Sequence, residues 1–277
     1  ERGTTGSEYG LARIAEEFVK LGHEVEIFTR SPSENWRGMR IRPWEERNNV
    51  DRSYDVALSF NIPDDLRECG ARMHATVFWL NNFSFCKPGF DKHCDLFISP
   101  SNAHREMAIG SWKTLQDGSR YDARPEQWTW APLGVDPEKY GLRPKIQGRV
   151  IYCSSPDRGL HHLLAEWPAI KAAVPEASLH IFYRLMPWIE DMLKVPENHE
   201  GMRENRRRAV LIQEGLRATE GMDVTIRDAV SREQIQIEQD QAEVMAYPCD
   251  TMIWSEGWAC STHEGCIARA CPVITDC

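Results

Sequence analysis

Between residues 7 and 21 the apolar side chains are Leu11, Ile14, Ala15, Phe18 and Val19. They recur at i, i+3, i+4, i+7 and i+8, which is one face of a helix. Gly22 stands where a left-handed cap ends such a helix. Val25, Ile27 and Phe28 then predict a short strand. Apolar runs at 54–60, 76–80, 96–99 and 129–131 predict further strands, short and continuous as in buried parallel sheets. Between 134 and 148 this pattern breaks. Gly134, Pro137, Gly141, Pro144 and Gly148 sit there amid mixed charge, which is linker chemistry. Alternation then resumes. Strands are predicted at 150–153, 178–183, 223–226, 244–247 and 273–275, and helices at 160–172, 204–217, 232–239 and from Glu264 onward. Strands alternating with helices are βα units of parallel sheets. Two such series joined by a linker predict an α/β chain of two doubly wound, Rossmann-like domains, residues 1–143 and 144–277, facing each other across a cleft.

The composition allows two cores. The chain has 277 residues, 42% hydrophobic and 27% charged, as in ordinary globular domains. Its formal net charge is −9, so it lacks the electrostatic footprint of a nucleic-acid binder, and no nucleic-acid partner is expected. The dense basic run RENRRR, Arg203 to Arg208, reads as the solvated face of a helix. No window approaches the ~18 apolar residues of a membrane span, and no signal peptide opens the chain; peripheral membrane association stays open. Nine cysteines at irregular spacings, with no CxxC, fit neither a disulfide framework nor a zinc ribbon. Reduced thiols in a cytoplasmic protein are the expectation. Cys86, His93 and Cys94 lack a fourth ligand, and no metal is expected. Trp128, Trp130, Trp167 and Trp188 read as packing at domain edges, whereas Trp254 and Trp258 flank Glu256. Trp79, Phe83 and Phe85 read as core or as acceptor-cleft lining. The chain opens on Glu1-Arg2-Gly3 and stops just after a strand-like run. Both ends are expected to cut through a fold.

In open α/β sheets ligands sit at the carboxyl ends of strands, near helix N-termini, and three loops fall there. Gly3-Thr4-Thr5-Gly6-Ser7-Glu8 precedes the first helix. Its glycines let backbone N–H groups approach an anion; a plain turn with Ser7 as N-cap fits equally. Ser154-Ser155-Pro156-Asp157-Arg158-Gly159 lies between the first strand and helix of the second series. A fixed cation beside a helix N-terminus suits a diphosphate; a capping loop with a solvated Arg is the plainer alternative. Glu256 and Glu264 form an E-x7-E pair after the 244–247 strand. Carboxylates accept from sugar hydroxyls, and the residues between can offer N–H groups to phosphate. By spacing alone the pair is better read as a loop Glu and a helix-start Glu held by the dipole.

Order along the chain separates these alternatives. GTTGSEYGLARIAEEFVKLGHEVEIFTR, ISPSNAHREM, APLGVDPEKY, IYCSSPDRGLHHLLAEWPAIKAAVPEASLHIFY and AYPCDTMIWSEGWACSTHEGCIARACPVIT follow one another. Together they resemble glycosyltransferase family 4: its glycine loop, "SxS" segment, "pxGVDxxxF" stretch, donor-phosphate loop and E-x7-E region. The resemblance implies a GT-B fold of two Rossmann-like domains. The chain would be a fragment lacking the family's first strand and its C-terminal crossing helix. Gly6 would approach the donor diphosphate and acceptor. Arg158, with Gly159 opening the helix, would neutralise the diphosphate. Glu256, with the backbone of Gly257, Trp258, Ala259 and Cys260, would contact the transferred sugar and phosphates. Glu264 would hold the ribose hydroxyls, and Val230 would flank the base.

Three positions depart from the family pattern. The Lys usual after the Arg is missing from Gly159-Leu160-His161-His162, which implies either weaker neutralisation of the diphosphate or help from His161. Asn81 and Asn82 stand where many members have a His. Arg269 occupies a position usually held by a small residue.

The implied activity is transfer of a sugar from a nucleoside diphosphate-sugar, with retention at the anomeric carbon, to an unidentified glycan, lipid or small-molecule acceptor. It is EC 2.4-class, hexosyltransferase-type chemistry. No cofactor or metal is called for, because the step mainly needs charge stabilised on the leaving diphosphate. A glycosidase fits poorly, since both Glu lie on one side of one domain. A GT-B epimerase or phosphorylase, or a truncated inactive binding module, are the rival readings.

Overall fold

The structure is a computed structural model. It describes residues 6–49, 54–60, 62–67, 71–77, 86–110, 113–115, 117–141, 143–199, 202–228, 230–249 and 259–275. Two compact units divide the chain after Gly134, a position inside the glycine- and proline-rich break.

The first unit runs α1 (Gly6–Lys20), β1 (Glu26–Thr29), β2 (Glu34–Trp36), β3 (Met39–Pro43), β4 (Val56–Phe60), β5 (Met73–Val77), β6 (Leu96–Ser99), α2 (Asn102–Gly110), β7 (Lys113–Thr114), β8 (Arg120–Tyr121) and β9 (Trp128–Trp130). Helix α1 starts at Gly6, so Ser7 is inside it and is not its N-cap. The predicted cap at Gly22 is present: His23 N donates to Phe18 O and Gly22 N to Val19 O, both at 3.0 Å, the Schellman pair. Strands β4, β5, β6 and β9 form a parallel sheet in the order β4-β5-β6-β9. Strand β1 instead pairs with β3, in a separate sheet with the antiparallel β2. The β2–β3 hairpin was not foreseen. Its two-residue loop is Arg37-Gly38, both at positive φ (50° and 81°), the arrangement of a type I′ turn. The core gathers Phe90, Phe97, Tyr121 and Trp128 with Cys86 and Cys94, and Phe97 stacks on Trp128 at 4.7 Å. Burial pushes the Cys86 thiol up to about 12 and the Cys94 thiol up to about 11.

The second unit runs β10 (Ile146–Tyr152), α3 (Leu160–Ala173), β11 (Ser178–Phe182), α4 (Leu185–Lys194), α5 (Arg203–Ala218), β12 (Val224–Arg227), α6 (Arg232–Gln241), β13 (Ala242–Tyr247), α7 (Cys260–Ile267) and β14 (Cys271–Ile274). Its five strands are all parallel, in the order β12-β11-β10-β13-β14. One sheet face buries Trp167, Leu160, Leu164, Leu179, Ile181 and Ile212. The other buries Ile151, Phe182, Ala242, Met245 and Ala270. Trp128 and Trp167 are thus core residues and do not pack at domain edges. Helix α7 begins at Cys260, so Glu264 lies one turn inside it and does not open it.

The linker is tied to the second unit by four bonds. Gly141 N and Arg143 donate to the buried Asp240 carboxylate at 2.6 and 3.2 Å. Lys145 donates to Ala268 O at 2.6 Å, and Arg269 to Gly141 O at 2.9 Å. Arg269 has φ 61°, which accounts for the expectation of a small residue there. Among the described residues no helix is long and apolar enough to cross a membrane.

Candidate functional site

Chain order in the second sheet runs outward from β10 in both directions: β11 and β12 to one side, β13 and β14 to the other. The gap between the carboxyl ends of β10 and β13 is therefore a topological switch point, where open α/β sheets bind ligands. The loops leaving these two strands lead to the predicted donor residues Arg158, Gly159, Ala259 and Cys260, whereas Val230 follows β12.

The loop after β10 is held at three points. Tyr152 is fully buried and its hydroxyl donates to Ser155 O at 2.6 Å; burial raises the phenol well above its ordinary value. Arg158 N donates to Ser155 O at 2.9 Å. Arg208, reaching from α5, donates to Asp157 O. Arg208 is 4% exposed, which corrects the reading of the 203–208 run as a solvated face: Arg203 and Arg207 are exposed, and Arg208 turns inward. Glu204 accepts from Arg207 and Arg208. The bond from Arg207, ahead of that from Arg208, holds the Glu204 carboxyl down at about 2 against burial.

Gly159 joins the two loops. Its φ is 84°, and a Cβ on it would lie 1.7 Å from Pro248 O, so only glycine lets the two backbones meet. Arg158, which precedes it, is thereby brought beside the start of the segment after β13. His161 is buried and lines, with His162, Arg207, Leu211 and Gly215, a cavity of about 420 Å³ between α3 and α5.

Beyond Cys249 the chain leaves the described residues and re-enters at Ala259, so Glu256, Gly257 and Trp258 lie outside them. Gly3 to Thr5, Asn81 and Asn82 lie outside as well. Ala259 is the N-cap of α7; its carbonyl accepts from Thr262 N at 3.1 Å and His263 N at 3.3 Å. Cys260 is the first helical residue. Glu264 is 6% exposed. Its Oε1 meets Arg232, and its Oε2 accepts from Gln239 Nε2 at 3.0 Å. Val230 is partly buried against the cluster of Ile151, Phe182, Ala242, Met245 and Ala270. Burial pushes the Cys153 thiol up to about 12, against the charge of Arg232.

Arg158, Gly159, Val230, Ala259, Cys260 and Glu264 thus all belong to the second unit, around its switch point. Gly6 belongs to the first. Sequence reasoning missed Arg232, Gln239, Arg208 and Tyr152. The only local signal near Arg232 is a capping pattern, Ser231 accepting from Gln234 N at 3.2 Å.

No known family profile matches the chain, and no curated protein is similar to it in sequence. Solved structures are similar in fold. AviGT4, a glycosyltransferase involved in avilamycin A biosynthesis, aligns at TM-score 0.62 and 18% identity, over 99% of this chain and 71% of its own. Sucrose-phosphate synthase from Thermosynechococcus elongatus aligns at TM-score 0.63 and 14% identity, over 98% and 76%. Anabaena HepE, in complex with UDP and glucose, aligns at TM-score 0.62 and 13% identity, over 98% and 77%. The chain has the GT-B fold. At these identities the likeness is one of fold alone.

Proposed function

We propose that the chain is a family 4-type glycosyltransferase that moves a sugar, with retention, from a nucleoside diphosphate-sugar to an acceptor. The observation that carries this is the seating of Gly159 on Pro248. It sets the Arg158 loop and the start of α3 against Pro248, just past the end of β13, and Glu264 is buried one turn into α7. Fold neighbours that include a UDP and glucose complex support a nucleotide-sugar donor.

In the reaction the bond between the anomeric carbon and the phosphate oxygen breaks. The acceptor oxygen bonds to that carbon, and its proton passes to the departing diphosphate. Arg158 and the N-terminus of α7 would stabilise the charge growing on the leaving group. Glu264 would accept from the ribose hydroxyls, with Val230 beside the base. Glu256, Gly257 and Trp258 would frame the sugar. These groups supply the charge the step needs without a metal. The free thiols, several of them buried, suit a cytoplasmic setting.

Donor hydrolysis and transfer, assayed across UDP- and GDP-sugars, test the reading. Glu264→Gln and Arg158→Ala should each lower turnover by about 100-fold or more. Near-normal rates in both folded variants overturn the site assignment.

A further inference from the structure

Glu264 is 6% exposed, and a carboxylate at that depth needs partners. Both come from α6: Arg232 meets Oε1, and Gln239 donates to Oε2 at 3.0 Å. Arg232 and Gln239 are seven residues apart on that helix, two turns along one face. We propose that Arg232 is a positioning residue for Glu264, fixing the direction in which its carboxylate faces a bound ribonucleotide; this rests on the donor-site reading above.

Each carboxylate oxygen has two lone pairs. Support from α6 engages both oxygens and leaves each with acceptor capacity for the vicinal hydroxyls of a ribose. A glutamate gripped at one oxygen only can rotate about its broad terminal torsion; gripped at both, it cannot. The Arg232 side chain is 20% exposed, and its charge reaches Cys153 at the end of β10.

The test is calorimetry of UDP and GDP against their 2′,3′-dideoxy counterparts. Wild-type protein should bind one ribonucleotide about tenfold or more tighter than its dideoxy form. Arg232→Ala should bring that ratio to within about twofold, and Arg232→Lys, which keeps the charge but loses the planar fork, should fall between. A purely structural role would weaken both nucleotides equally and leave the ratio unchanged, and that result overturns the proposal. Where Arg232→Ala does not fold, Arg232→Lys decides: a wild-type ratio in it overturns the proposal. Wild-type protein that binds without discriminating, or not at all, overturns the donor-site reading of Glu264 and the proposal with it. The proposal fails alone when wild type discriminates and Arg232→Lys does so equally.

Discussion

Two residues at positive φ show how one backbone conformation serves different ends. Gly159, at φ 84°, has Pro248 O where a Cβ would be. Gly159→Ala adds about 1–2 kcal/mol of left-handed strain and a contact that only parting of the two loops relieves. The expected result is a lower melting temperature and lost nucleoside diphosphate affinity, read by thermal shift with and without UDP or GDP. Unchanged affinity would mean the loops do not need to touch. Arg269, at φ 61°, bears the same strain but donates to Gly141 O at 2.9 Å. Arg269→Ala keeps the strain and loses the bond, whereas Arg269→Gly loses both. The Ala variant should therefore be less stable than the Gly variant by about 1 kcal/mol in urea titrations. Equal stabilities would remove backbone conformation as the reason a small residue suits this position.

At the scale of elements, helices with clean periodicity were legible. Leu160–Ala173 and Arg203–Ala218 fall within a residue or so of expectation. Helix α4 was not foreseen, because Pro187 in its first turn reads as a break, though the first turn is where proline is tolerated. The β2–β3 hairpin escaped for a similar reason: Arg37-Gly38 is not the Asn-Gly pair that usually marks a type I′ turn. What a helix face touches was harder to read than where the helix lies. In RENRRR all four arginines look alike in sequence, yet Arg208 is 4% exposed and holds Asp157 O, while Arg207 is exposed. Arg208→Met leaves that carbonyl and part of Glu204 without a donor, a loss of about 2–4 kcal/mol. Arg207→Met should cost about 1 kcal/mol or less. Denaturant midpoints of the two variants check this, and equal losses would return the run to the solvent-facing role its composition implies.

For the whole molecule, the alternation of strands and helices in the second unit and the places of the loops after β10 and β13 were legible, since both depend on local pattern. The long-range pairings were not: Arg232 with Glu264, and Glu238 with groups from three strands, depend on which helix covers which strand. His180 on β11 lies 3.5 Å from Glu238 on α6, with Arg149 on β10 and Arg227 on β12 also facing that carboxylate. Burial, and then the charge of Arg149, lower the His180 pKa below its ordinary 6.5, against the pull of Glu238. The fold thus favours the neutral imidazole, and the unfolded chain takes up the proton more readily. This contribution is complete above pH 6.5 and is lost as pH falls from there toward the folded value. Glu204, held at about 2 against an ordinary 4.5, adds a second loss that begins only below pH 4.5. Urea midpoints against pH should therefore decline in two stages, and His180→Asn should remove the upper stage while sparing the lower. An upper stage that survives the substitution would place its origin in a group other than His180.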